Sequence, residues 1–167
     1  MTDASMPPTH PNVARVEAAA AAAGLTITVS RFPDGTRTAE DAARAVGCAA
    51  SQIVKSLVFM VDGDPVVALL AGNDRLDPAR LAAALGAEFV RRADGDEVRA
   101  ATGFAIGGVP PFGHTRPLRV LVDAHLLEQA LVWAAAGLPD AVFSIEPAEL
   151  ARVAGAERAT LAADAGA

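Results

Sequence analysis

Hydrophobic and polar positions form their clearest pattern in the middle of the chain, where two apolar runs flank a short polar turn. Residues 54–61 and 65–71 are rich in valine, leucine and alanine, and Asp62-Gly63-Asp64 separates them. A glycine-containing turn between two such runs predicts a β-hairpin. Shorter apolar or alternating runs predict further strands at 26–32, 88–92, 104–106, 119–123, 131–135 and 141–145.

Capping residues and glycines mark the helices between these strands. Asp77-Pro78 offers a capping carboxylate followed by proline at the first helical position, and Gly86 ends that helix. Comparable signals predict helices at 12–23, 38–47, 94–101 and 146–153. A turn is predicted at Pro33-Asp34-Gly35. Because helices and hairpins alternate without regular β-α-β units, the pattern predicts a mixed α+β fold rather than a doubly wound one.

Length and composition favour one globular domain. The chain has 167 residues, of which 52% are hydrophobic and 20% charged. Residues 1–11 are polar and proline-rich and are predicted to be flexible, 12–154 form the predicted domain, and the Ala/Gly-rich stretch at 155–167 is predicted to be a loose tail.

Charge and cysteine usage narrow the function. The formal net charge is -6, whereas a broad nucleic-acid groove is normally basic, so any contact with RNA would be small or aided by a partner. Cys48 stands alone, and His10, His114 and His125 share no metal-ligand spacing, so neither a disulfide nor a metal site is predicted. No apolar run approaches the roughly 18 residues that span a bilayer. A cytoplasmic protein with no membrane contact is expected.

Lys55 is the most unusual residue. It is the only lysine, against thirteen arginines, and it lies inside the apolar run 53–61. A compact, flexible ammonium differs from a planar guanidinium in what it can bind. Two interpretations are open from the residues alone: an edge-strand lysine that reaches solvent, or a lysine that works in a site.

The loop 107–114 is the second candidate feature. Gly107 and Gly108 let a ligand approach the backbone and can aim N–H groups at an anion or oxyanion, although on its own Gly-Gly-x-Pro more often marks a purely structural turn. His114 could act as a base or bind a ligand. Asp123 could orient His114 or cap the next turn. Ser56 could complete a Ser-His-Asp set, but it lacks a Gly-x-Ser-x-Gly elbow.

The order of these motifs resembles the YbaK/prolyl-tRNA-synthetase-associated editing domain family. The similarity covers about residues 25–153 and includes the lysine strand 53–59, the helix start 76–81, the Thr-Gly-Phe to Gly-Gly-x-Pro loop at 101–114, Val122-Asp123, and 136–139. It implies a compact α/β domain whose mixed, barrel-like β-sheet is flanked by helices. The implied activity is hydrolysis of the ester that joins a wrong amino acid to the 3′ end of a tRNA, usually proline tRNA, without a cofactor or a metal. The implied partners are the tRNA acceptor end and prolyl-tRNA synthetase.

The resemblance also assigns roles to residues. It implies catalytic roles for Lys55, Gly107, Gly108 and His114, and substrate contacts for Ser56, Val109, Pro110, Asp123 and Gly137. Two departures leave the removed amino acid open among alanine, 2-aminobutyrate, serine, threonine and cysteine. Ser56 stands where relatives carry asparagine or threonine, and Ala135-Ala136-Gly137 stands where many have Ser-Gly-Gly. Two other functions remain: a catalytically silent module that binds prolyl-tRNA synthetase or a nucleotide-like ligand, and a serine or histidine hydrolase of small esters.

Overall fold

The computed structural model describes residues 9–32, 36 and 38–164, and the predicted turn at 33–35 lies outside them. The helices of this part of the chain are α1 (Pro11–Ala22), α2 (Ala39–Val46), α3 (Pro78–Leu85), α4 (Gly95–Thr102), α5 (Ala124–Leu127) and α6 (Pro147–Ala154). The strands are β1 (Val29–Arg31), β2 (Val54–Val61), β3 (Asp64–Ala71), β4 (Val90–Arg92), β5 (Arg119–Asp123), β6 (Val132–Ala135), β7 (Ala141–Ile145) and β8 (Glu157–Ala159). None of the helices described is long and apolar enough to cross a membrane.

The strands form two sheets. The larger has the order β4-β2-β3-β5-β8, and the smaller has the order β1-β7-β6. Strand β2 pairs antiparallel with β3 and β4, whereas β3 with β5 and β5 with β8 are parallel. A parallel bridge between Ile53 and Trp133 links the two sheets. The predicted mixed α/β single domain is therefore confirmed, although the described strands form two sheets and no closed barrel.

Strand β2 separates two parts of the core. Side chains alternate across a strand, and Val54 and Val58 join the larger apolar cluster with Phe104 and Phe143. Phe59 and Val61 join a second cluster, which contains Leu81 of α3 and Leu161. Lys55 shares this second face, and Ser56 shares the first.

The predicted strand at 104–106 is wrong. Gly103 ends α4 in the left-handed conformation, with a φ of 84°. The Thr102 hydroxyl then accepts a hydrogen bond from the Phe104 N–H at 3.0 Å, and the Gly108 N–H donates to the Ala105 carbonyl at 3.0 Å. These local bonds close two successive turns, so the apolar side chain of Phe104 is buried from a turn instead of a strand.

The loose tail predicted for 155–167 is wrong for its first part. Strand β8 pairs parallel with β5, and Leu161 is completely buried. The main-chain N–H groups of Leu161 and Ala162 both donate to Asp123 Oδ1, at 2.7 and 3.0 Å. The partners of this segment lie far away in the sequence, so its weak apolar pattern could not reveal the pairing. Among residues 1–11, those described show Pro11 already in α1.

Candidate functional site

A cavity of about 420 Å³ opens between β2, the start of α2, the loop after α4, and the 133–142 region. This volume lies in the usual range of small-molecule sites, about 300 to 1,000 Å³. Of the residues predicted to form a site, Lys55, Ser56, Gly107 and Val109 line the cavity. Gly108, Pro110, His114, Asp123 and Gly137 do not belong to its lining, and each has a different place in the structure.

Lys55 is fixed by a main-chain acceptor. Its Nζ donates to the carbonyl oxygen of Asp74 at 2.7 Å, and the side chain is half-buried. Burial lowers the pKa of the Lys55 ammonium, and the carboxylates of Glu40 and Asp74 oppose that shift. An ammonium has three N–H donors, so two remain for a ligand in the cavity.

Ser56 lies on the opposite face of β2 from Lys55, although both residues line the cavity. Its Oγ is buried and has no hydrogen-bond partner among the described residues. A serine nucleophile needs a base within hydrogen-bond reach, and none of the described histidines bonds to this hydroxyl. The geometry therefore disfavours a Ser-His-Asp hydrolase.

The N–H groups of the 107–110 loop differ in whether they have a hydrogen-bond partner. The Gly108 N–H is already bonded to Ala105. Gly107 adopts a φ of 91° and lines the cavity together with Val109, and neither of their N–H groups has an acceptor within the described residues. Gly108 is closely packed, because a Cβ there would lie 3.0 Å from the Leu138 Cα. Gly107 and Val109 are therefore the candidates in this loop for oxyanion donors, because their N–H groups are not used within the described residues.

His114 closes this loop behind the cavity. Its Nε2 lies 2.8 Å from the Pro110 carbonyl, and because a carbonyl can only accept, this nitrogen carries the proton. Burial lowers the pKa of His114, with the bond to Pro110 opposing the shift. The contact with Pro110 gives His114 a structural role in holding the loop together. No contact of His114 with the described residues supports its predicted part in the chemistry.

Asp123 caps the next turn, which is one of the two roles predicted for it. It is 1% exposed and has no bond to His114. Its Oδ2 accepts from the His125 N–H at 3.1 Å, and its Oδ1 accepts from the segment after β8. Asp74, Asp123 and His125 bring their ligand atoms within 4.8 Å of one another, but the bonds of Asp123 and the contact between His125 Nδ1 and Asp74 Oδ2 account for the grouping.

Gly137 packs closely against the start of α1. It has a φ of 96°, and a Cβ there would lie 2.8 Å from the Asn12 carbonyl oxygen at the start of α1. The Asn12 side-chain amide also donates to the Gly137 carbonyl at 3.1 Å. Gly137 thus supports the cavity from outside its lining.

Sequence reasoning missed several lining residues. Glu40, Ile106 and Trp133 line the cavity, and Ile106 is 57% exposed at it. Arg92 also lines it, without an ion pair to any described residue, whereas the neighbouring Arg91 is paired with Glu97. The available signals were an isoleucine directly before Gly-Gly and the only tryptophan of the chain.

The fold and this cavity define a class of protein. The chain belongs to the aminoacyl-tRNA editing domain family, whose model matches residues 33–153. This confirms the resemblance seen in the sequence.

Individual relatives make the comparison more specific. A solved structure of a candidate trans-editing enzyme for prolyl tRNA synthetase is 42% identical, with a TM-score of 0.88, over 94% of this chain and all of that one. The uncharacterized protein YwhH of Bacillus subtilis is 33% identical over 73% of this chain and 78% of its own. A proline–tRNA ligase of Streptococcus equi is 36% identical over 56% of this chain, but the match spans only 15% of the ligase.

Proposed function

We propose that this protein hydrolyses the ester of mischarged tRNA and removes a small wrong amino acid from proline tRNA. The observation that carries the proposal is that Lys55, the only lysine, lines one cavity together with Gly107 and Val109, whose N–H groups have no acceptor among the described residues. The family match and the similarity to a candidate trans-editing enzyme support it. The cavity has room for the terminal aminoacyl-nucleoside and not for the body of a tRNA. Such a small contact fits the net charge of -6, because a broad nucleic-acid surface is normally basic.

The proposed mechanism relies on positioning. An aminoacyl ester is already activated, so hydrolysis needs an oriented carbonyl, an oxyanion receptor and a placed water. The two unused donors of Lys55 hold the terminal phosphate or the carbonyl oxygen of the substrate. The N–H groups of Gly107 and Val109 stabilise the developing oxyanion. The ribose hydroxyl beside the ester activates the water, so no protein base is required; this assigns His114 to the integrity of the loop.

The test is a deacylation panel. Proline tRNA charged with alanine, 2-aminobutyrate, serine, threonine or cysteine is incubated with the wild-type protein, Lys55→Ala and Lys55→Arg. Wild-type turnover of at least one substrate is expected, and Lys55→Ala should lower kcat/KM by at least about a hundredfold because a charged contact is lost. Lys55→Arg should also be poor, since a planar fork cannot occupy the position of an ammonium. Far-UV circular dichroism should show an unchanged fold.

Two results would reject the proposal. Full activity of Lys55→Ala would remove the lysine from the mechanism. No turnover on any substrate, together with tight binding to prolyl-tRNA synthetase, would instead support the alternative of a silent binding module, which the acidic net charge also fits.

A further inference from the structure

The acceptor that holds Lys55 belongs to a loop with anchors of its own. We propose that Asp74 is a positioning residue for Lys55, held in place by His125 and by the segment 161–163. The proposal rests on the proposed function, in which the Lys55 ammonium contacts the substrate. Asp74 acts through its main-chain carbonyl and does not line the cavity.

The first anchor is a side-chain contact. Asp74 Oδ2 lies 3.1 Å from His125 Nδ1, and the carboxylate is mostly shielded while the imidazole is 59% exposed. His125 is the second residue of α5, so the contact ties the 72–77 loop to the segment that follows β5. This contact sets the orientation of residue 74 and therefore of its carbonyl.

The second anchor is made by the main chain. The Ala163 N–H donates to the Arg75 carbonyl at 2.7 Å, and the Asp77 N–H donates to the Leu161 carbonyl at 2.8 Å. Within the loop, the Asp74 N–H donates to the Ala71 carbonyl at the end of β3, at 3.0 Å. The residue that holds Lys55 is therefore fixed on both sides along the chain.

A single buried carboxylate joins the two anchors. Asp123 Oδ2 accepts the N–H of His125, while Asp123 Oδ1 accepts the N–H groups of Leu161 and Ala162. A hydrogen bond to a charged acceptor is stronger than one between neutral groups. Asp123 thus sets α5 and the 161–163 segment relative to one another, and both of them hold the loop of Asp74.

This arrangement matters because lysine is flexible. Its four-carbon stem has many rotamers, and a fixed carbonyl selects one conformer before substrate arrives. Catalytic rates fall steeply when a positioning group moves by about 1 Å. Loosening the loop should therefore slow the reaction without removing any group that touches the substrate.

The decisive variant is His125→Ala. It removes the partner of the Asp74 carboxylate and leaves every charged group near the ammonium unchanged, namely Glu40, Asp74, Arg75 and Arg92. His125→Asn is the rescue variant, because its amide N–H can replace the Nδ1 donor. Glu157→Ala on β8 is the matched control. It breaks the exposed ion pair with Arg119 of β5 and does not touch the loop.

Because Lys55 is the only lysine, it can be observed directly. Protein labelled with ¹³C at the lysine ε-carbon gives one side-chain resonance, whatever the activity. In His125→Ala that resonance should move towards its position in an unfolded peptide, and kcat should fall about tenfold with little change in KM. His125→Asn should restore both values, and Glu157→Ala should match the wild type. Thermal unfolding verifies that each variant is folded.

The outcomes separate the two proposals. An unchanged Lys55 resonance in folded His125→Ala overturns the positioning role. A shifted resonance with an unchanged kcat shows that the position does not matter for the reaction and also overturns it. If the wild-type protein hydrolyses none of the charged tRNAs, the proposed function fails, while the resonance still reports whether His125 and Asp74 place the lysine.

Discussion

The cavity has two walls that are held by different forces. We call Lys55 with the 72–77 loop the lysine wall, and residues 107–110 with 137–139 the glycine wall. The lysine wall depends on hydrogen bonds that end on carboxylates, at Asp74 and Asp123. The glycine wall depends on close contact, because a Cβ at Gly137 would clash with the backbone of Asn12 and one at Gly108 would be tightly packed against Leu138. A polar support and a steric support thus hold two walls of the same cavity from outside its lining.

The difference determines what each wall tolerates. A hydrogen-bonded support weakens when a charge or a donor is removed, even if the volume is conserved. A close-packed support does not depend on charge, but it is destabilised by an added atom. Removal of a donor or an acceptor should therefore damage the lysine wall more than the glycine wall. The lysine wall also has one sterically fixed point, because a Cβ at Gly72 would lie 2.5 Å from the Ala50 carbonyl oxygen.

The largest effect on stability is expected at Asp123, in the lysine wall. Asp123→Ala leaves three N–H groups without their acceptor, two of them buried, and should lower the free energy of unfolding by about 3 kcal/mol. Urea denaturation measures the loss. Asp140→Ala is the control, because it breaks an exposed pair with Arg31 and should cost no more than about 1 kcal/mol. Equal losses in the two variants would refute the central role of Asp123.

The glycine wall should fail through contact alone. Gly137→Ala and Gly63→Ala impose a similar strain, since φ is 96° and 88°, but only Gly137 has backbone where a Cβ would lie. Gly137→Ala should therefore be less stable than Gly63→Ala by about 2 kcal/mol. Denaturant midpoints of the two variants give this difference directly. Similar midpoints would mean that α1 yields, and that the wall is not sterically fixed.

The smallest expected effect concerns the pH dependence of stability. His114 beside the glycine wall and His125 at the lysine wall should change it in opposite directions. Burial lowers the pKa of His114, so its contribution to stability is complete above the ordinary value of about 6.5 and is lost as pH falls through that value towards the lowered one. The hydrogen bond to Asp74 raises the pKa of His125, so its contribution is complete below about 6.5 and is lost as pH rises through the raised value.

Urea unfolding between about pH 5 and pH 9 tests these signs, since the range brackets the ordinary histidine pKa. His114→Gln should flatten the acid side of the stability profile, and His125→Asn should flatten the alkaline side by a smaller amount because His125 is exposed. A change on the same side in both variants would contradict the assignment of opposite shifts.

Local signals in the sequence were enough for most of the fold. The β2–β3 hairpin and α3 follow from the Asp62-Gly63-Asp64 turn and the Asp77-Pro78 cap, which act within a few residues. Lys55 could be identified because it departs from the arginine bias of the chain. Its partner Asp74 could not, because a main-chain carbonyl has no sequence signal. Strand β8 was missed for a related reason, since its parallel pairing with β5 depends on distant residues.

The two ends of the described chain act as braces, and this bears on how short a working domain can be. Helix α1 supports the glycine wall through Asn12, and the 161–163 segment supports the lysine wall, yet both lie outside the family-matched residues 33–153. A protein trimmed to the matched region would retain almost every side chain that faces the cavity. It would nevertheless lose the contacts that keep those side chains in place. A fragment that retains function should therefore be longer than the region that identifies the family.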